Sequence, residues 1–236
     1  MGEAWDSRTK ALLGDEAMRR LQESTVAIFG IGGVGSFAAE GLARAGVGHL
    51  VLIDSDCIAD SNRNRQIHAL VSTVGRKKTE VMRERILEIN PQAVVDVIDG
   101  FFLPENAEQF FLRKYDYVLD AIDTITGKIH LVLQCKERGI PVLCSMGAGN
   151  KLDPSRFEVA DIYQTSVDPI ARVMRKKLRE YGILKLPVVY SKELPHATSG
   201  GEYLGSVSFV PSVVGLIMAG EAVKALAGES LRNGGE

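Results

Sequence analysis

The chain reads as an α/β protein built on a Rossmann-like, doubly wound, mostly parallel sheet, with a C-terminal α+β elaboration. Three observations predict this. Short apolar runs alternate with helical patterns through residues 24–149, the first run enters a helix through Gly30-Ile31-Gly32-Gly33-Val34-Gly35, and an acid, Asp54, closes the second run. Parallel strands buried on both faces read as near-continuous apolar runs, and each needs a crossover helix to reach the next.

The strand candidates are Val26–Phe29, Leu50–Ile53, Val94–Ile98, Tyr117–Leu119 and Val142–Cys144. Helical patterns at Ser36–Ala45, Arg76–Ile89, Glu105–Arg113 and Thr126–Arg138 separate them. Asn90-Pro91 and Gly139-Ile140-Pro141 stop two of these helices, because proline cannot continue the hydrogen-bond ladder. After Gly149 the rhythm breaks. Short β-like pieces at Phe157–Ile162, Val188–Tyr190 and Val207–Phe209 surround a charged helical segment, and Pro211 opens a last helix through Ala227. We expect one domain over residues 1–236, its nucleotide-binding part at about 24–149 and its elaboration at about 150–230.

With 236 residues, 45% hydrophobic and 25% charged, the chain has material for one sizeable core. A net charge of -2 carries no global nucleic-acid or membrane signature. Cys57, Cys135 and Cys144 form neither a disulfide framework nor a CxxC pair, which points to a reducing cytoplasm and away from structural zinc. The N-terminus, with Glu3 and Asp6, lacks the apolar core of a signal peptide. The longest late apolar stretch, Val213–Ala219, is too short to span a bilayer, so no membrane partner is expected.

The glycines have a mechanical role. A strand turning sharply into a helix brings its backbone against a phosphate only where no side chain intervenes, so Gly30, Gly32, Gly33 and Gly35 are candidate nucleotide contacts. The helix N-terminus then offers N–H groups and a favourable dipole to the anion. Asp54 stands where an acid accepts hydrogen bonds from ribose. A hydride-transfer enzyme has no need of Asn62-Arg63-Asn64-Arg65-Gln66 just beyond it. Attack on an α-phosphate builds charge there and on departing pyrophosphate, so fixed cations are required. Arg65, a planar fork, and Lys78, a mobile point charge, are the candidates, and Asn62 and Gln66 hold nucleotide or orient Arg65. Asp123, just past a strand end, is placed to hold Mg²⁺ against the phosphates of ATP. Taken singly, Arg65 and Lys78 read equally as solvated cations. Asp120 and Asp123 also suit helix capping before Thr124–His130.

Gly30-x-Gly-Gly-x-Gly, Asp54-x-Asp56, Ser61-Asn62-Arg63-Asn64-Arg65-Gln66, Lys78 after Gly75 and Asp120-x-x-Asp123 together resemble the ubiquitin-activating-like adenylyltransferase superfamily, from about Ser7 to Leu226. The resemblance implies that Asp54 holds ribose, that Asn62, Arg65 and Lys78 contact phosphates, and that Asp123 supports magnesium-bound ATP. It also implies a homodimer in which Arg8, in a loosely matching context, reaches the partner's site.

Protein activators in that superfamily usually carry two CxxC zinc pairs, and the thioester-forming members keep a cysteine in a crossover loop. Neither is found here, and residues 184–204 hold no cysteine. Gly147-Ala148-Gly149-Asn150-Lys151-Leu152-Asp153-Pro154, the run Thr165–Arg179, Ala197-Thr198-Ser199-Gly200 and Gly205–Pro211 look instead like the threonylcarbamoyladenosine dehydratases, which act on tRNA. That branch implies adenylation of a threonyl carboxylate on the modified adenosine, then closure of the carbamoyl group onto it with loss of AMP. Arg172, Arg175, Lys176 and Arg179 fall at i, i+3, i+4 and i+7, a cationic stripe suited to tRNA phosphates, with Ile170, Val173, Met174, Leu178 and Tyr181 as the opposing docking face. A solvated helix face accounts for the same pattern.

Two other functions stay open in the sequence. One is activation of the C-terminus of a small sulfur-carrier, ubiquitin-like protein. The other is a non-catalytic NAD-binding scaffold, since Asp54 alone suits both cofactors. A sulfur-relay protein partner is also left open, and His68 and His196 take no role.

Overall fold

The computed structural model describes residues 4–198 and 204–228. Five parallel strands are β1 (Thr25–Phe29), β2 (His49–Ile53), β3 (Val94–Ile98), β4 (Tyr117–Asp120) and β5 (Val142–Ser145). Two more, β6 (Phe157–Asp161) and β7 (Pro187–Ser191), form an antiparallel pair, with β7 parallel to β5. The order β3-β2-β1-β4-β5-β7-β6 makes one seven-stranded sheet. Chain direction across the sheet reverses between β1 and β4. In open α/β sheets the crevice at that reversal, beyond the strands' C-terminal ends, is where ligands bind.

Alternation along β1 divides the core. Val26 and Ile28 face one apolar cluster, and Ala27 and Phe29 face the other. The first cluster lies under α2 (Asp15–Glu23), α3 (Gly35–Ala45), α4 (Lys78–Ile89) and α7 (Pro211–Ala227). The second lies under α5 (Ile125–Glu137) and α6 (Pro169–Glu180) and holds Phe29, Phe102 and Phe110, whose rings meet edge-on or tilted. Helices α3 and α7 approach closely. A Cβ on Gly215 would stand 2.3 Å from the Val34 carbonyl oxygen, so only glycine permits that contact.

The predicted strands all form, to within one residue at either end, except Val207–Phe209. That segment is loop and turn. Just before it, asparagines engage the backbone of Gly205 and Ser206, and Val210 N bonds back to the Val207 carbonyl as the chain enters α7. The predicted helix Glu105–Arg113 is a 3-10 segment, Pro104–Phe110, where Asn106 Oδ1 accepts from Leu103 N and tightens the first turn. Helix α4 starts at Lys78, two residues late, because Lys77 bridges to Cys57. Two N-terminal helices, α1 (Ser7–Leu13) and α2, have no counterpart in the sequence reading. Helix α2 buries only Ala17, Met18 and Leu21, and its outer face is laced by ion pairs of Arg19 with Glu16 and Glu23. Its apolar signal is brief and surrounded by charge. No described helix is long and apolar enough to cross a membrane.

Candidate active site

The crevice between the ends of β1 and β4 is lined first by backbone. Gly30 has φ +88°, and a Cβ there would lie 2.6 Å from the Ala121 carbonyl oxygen. A Cβ on Gly35 would lie 1.8 Å from the Gly30 carbonyl oxygen. These two glycines let the turn after β1 close against the loop after β4 and begin α3 immediately. Gly33 packs beside Pro211 and the Arg65 stem, whereas beside Gly32 only Gln66 Nε2 comes near, at 3.9 Å from the position of a Cβ. At Gly32 the turn therefore opens onto space beside the N-terminus of α3, a position suited to an anion.

Asp54, at the end of β2, braces this turn. Its Oδ2 accepts from Ile31 N at 2.7 Å and its Oδ1 from Asp56 N at 2.8 Å. Lys78 opens α4 at 6% exposure, and its Nζ lies 2.7 Å from Asp56 Oδ2 and 3.8 Å from Asp54 Oδ1. Asp56 is exposed, so an incoming phosphate can replace it as the ammonium's partner. Arg65 is half-buried, and its Nη1 donates to the Ser61 carbonyl at 2.9 Å and to Asn64 Oδ1 at 2.8 Å. Asn62 accepts from Ala59 N at 3.0 Å and so shapes the turn that carries Arg65. Gln66 is buried, and its Oε1 has no hydrogen-bond partner. A buried amide carbonyl normally finds a donor, so this one marks a place for a ligand or water.

Past β4 the chain is held from below. Lys128 on α5 is buried, with its Nζ 3.0 Å from Asp120 Oδ2 and 2.9 Å from the Ile122 carbonyl oxygen. Asp120 is therefore an internal tie of the 120–123 loop, and Thr124 rather than Asp123 stands at the α5 N-cap. Asp123 is exposed at the crevice edge. Among the described residues no group of three or more His, Cys, Asp or Glu side chains converges to hold a metal by itself. A magnesium ion that takes most of its ligands from phosphates and water needs only one such carboxylate.

Arg8 is exposed on α1, a helix with no buried residue that packs on α2.

Helix α6 also differs in part from the expected stripe. Asp168 caps it, accepting from Ala171 N at 2.9 Å, while its other oxygen accepts from Gly147 N just beyond β5. This ties the basic helix to the same edge of the sheet. Arg172, Lys176 and Arg179 are exposed, but Arg175 turns inward to the Thr165 hydroxyl and carbonyl. Arg179 lies over the Tyr163 ring at 5.2 Å. The docking face is Ala171, Met174 and Leu178, with Ile170 half-buried; Val173 and Tyr181, expected inside, are 42% and 59% exposed. The missed contacts arise because the helix packs on a strip only one residue wide per turn. Ser199 and Gly200 of the Ala197–Gly200 motif lie outside the described residues.

Residues 6–235 match the ThiF family. The chain belongs to the ThiF family. Among ThiF-family relatives, it is 48% identical over 234 residues, 92% of each chain, to the tRNA threonylcarbamoyladenosine dehydratase of Bacillus subtilis. It superposes with TM-score 0.91 on the crystal structure of the Escherichia coli tRNA N6-threonylcarbamoyladenosine dehydratase in complex with AMP, at 37% identity over 98% of both chains. A structure of that enzyme in complex with ATP gives TM-score 0.90. The adenylyltransferase and sulfurtransferase MOCS3 of Drosophila sechellia is 30% identical over 215 residues, and the match spans 43% of its length.

The sequence reading gave no role to Asn64, which accepts from Arg65, or to Lys128, which pairs with Asp120. Asn64 also donates to the Ser206 carbonyl, 142 positions away, which no local pattern displays.

Proposed function

We propose that this ThiF-family chain is an ATP-dependent tRNA threonylcarbamoyladenosine dehydratase working as a cytoplasmic homodimer. The observation that carries the reading is the likeness over 98% of both chains to the Escherichia coli enzyme that was captured with AMP. In the first step the threonyl carboxylate attacks the α-phosphate of ATP and pyrophosphate departs. Arg65 and Lys78 exchange their present partners for phosphate oxygens and balance the charge that develops. The Gly30–Gly35 turn takes phosphate, Asp54 the ribose hydroxyls, and Asn62 and Gln66 the remaining polar contacts. Asp123 would hold Mg²⁺, which supplies charge neutralisation on the phosphates. In the second step the carbamoyl group closes on the acyl carbon and AMP leaves. The attacking group is already tethered, so no enzyme nucleophile is needed. Arg172, Lys176 and Arg179 bind tRNA phosphates without reading sequence.

The test is mass analysis of tRNA nucleosides after incubation with ATP. Loss of one water from threonylcarbamoyladenosine, with AMP and pyrophosphate formed, is the expected result. Pyrophosphate exchange that ignores tRNA and requires a Gly-Gly-ended protein would establish sulfur-carrier activation instead.

A further inference from the structure

A histidine–carboxylate pair lies beyond β7 with the geometry of an acid–base catalyst. His196 Nε2 is 2.8 Å from Glu193 Oε1. Glu193 is 5% exposed, and its two oxygens also accept from Leu152 N at 2.9 Å and Asp153 N at 3.0 Å. Burial pushes its carboxyl up, but those backbone donors and His196 outweigh burial and hold it below the usual carboxylate value. An ionised carboxylate only accepts hydrogen bonds, so Nε2 is the nitrogen that donates to Glu193, and in the neutral imidazole the lone pair is then on Nδ1. Among the described residues no hydrogen bond engages Nδ1, and the imidazole is about half exposed.

Hydrogen bonds link this pair to the phosphate side of the crevice. His196 N donates to the Asn150 carbonyl at 2.8 Å. Asn150, held at φ +57°, exchanges two bonds with Gly205, one from its own N–H and one to its Oδ1. Next along the chain, the Ser206 carbonyl accepts from Asn64 Nδ2 at 3.0 Å, and Asn64 Oδ1 accepts from Arg65. The imidazole and Arg65 are therefore fixed in one framework at the C-terminal edge of the sheet.

Ring closure needs a base. Whichever carbamoyl atom, nitrogen or oxygen, bonds the acyl carbon, a carbamoyl N–H proton must leave before the ring is neutral. We propose that His196 Nδ1 takes that proton as the acyl carbon–oxygen bond breaks and AMP departs with the electron pair, with Glu193 as the positioning residue behind it. The role rests on the dehydratase reading.

The test separates the two half-reactions, using tRNA that carries threonylcarbamoyladenosine. His196→Ala is expected to keep tRNA-dependent ATP–pyrophosphate exchange while ring closure slows about 100-fold, the ordinary contribution of a general base. AMP should then exceed cyclised nucleoside, because water consumes the waiting adenylate, and added imidazole should recover part of the lost closure. His196→Gln keeps a hydrogen bond to Glu193 without a basic nitrogen, and should be as slow as the alanine variant. Closure at the wild-type rate in His196→Ala, or exchange falling in step with closure, overturns the role. If the wild-type protein yields no cyclised nucleoside at all, the dehydratase reading itself fails.

Discussion

His68 is 2% exposed, and neither ring nitrogen has a hydrogen-bond partner. Burial first, then the nearby charges of Lys78 and Arg85, push its pKa down from 6.5 to about 4. Both cations are themselves paired, Arg85 with Glu40 and Lys78 with Asp56, each at 2.7 Å, so burial dominates the shift. A neutral ring at this position adds no charge near Lys78. Between pH 6.5 and about 4 the unfolded chain binds a proton that the folded protein refuses. Stability is therefore complete above that window and falls as pH drops through it, by about 2 kcal/mol between pH 7.5 and pH 5 from this one group. Urea unfolding of the wild type and of His68→Gln at both pH values checks this. The substituted protein should be less stable at neutral pH and should lose that share of the pH dependence; an unchanged slope would place the acid sensitivity elsewhere.

Helix α6 shows what periodicity can and cannot resolve. Its cationic stripe was legible, because i, i+3, i+4 spacing is a local property; the Asp168 cap and the start at Pro169 come from the structure. Which cations remain available was not legible, since that depends on Thr165 and Tyr163 arriving from the preceding segment. The stripe therefore divides into two kinds of residue. Arg172→Glu with Lys176→Glu is expected to weaken tRNA binding at least tenfold, to flatten the log–log salt dependence by about 1 per lost phosphate contact, and to leave ATP binding unchanged. Arg175→Ala should instead lower the thermal midpoint, because it strands the Thr165 carbonyl that its guanidinium satisfies. Filter binding across a salt series, beside thermal melts, distinguishes them. Equal loss of tRNA affinity from Arg175→Ala would mean that its inward contacts break when tRNA arrives.

At the scale of the whole molecule, the parallel part of the sheet was readable because each strand is a short apolar run bounded by turn residues, and the reversal between β1 and β4 places the Gly30 turn against Ala121 and Ile122. The ties that close the site were not, because they join residues 142 and 55 positions apart, as in Asn64 to Ser206 and Gly205 to Asn150. Arg8 poses the corresponding problem between chains. It lies exposed on α1, which packs on α2. If it completes the site of a partner in a symmetric dimer, each site draws Lys78 from one protomer and Arg8 from the other. Arg8→Ala and Lys78→Ala homodimers should then both be inactive in ATP-dependent AMP formation while remaining folded by circular dichroism. Unfolded together and refolded at equal ratio, they form mixed dimers as about half of the population, and each mixed dimer contains one site with both residues intact. The mixture should therefore recover about one quarter of wild-type turnover, and an excess of either variant should lower that share. A mixture that stays inactive although mixed dimers form would place Arg8 in the site of its own chain. Full activity of Arg8→Ala alone would remove it from the site altogether.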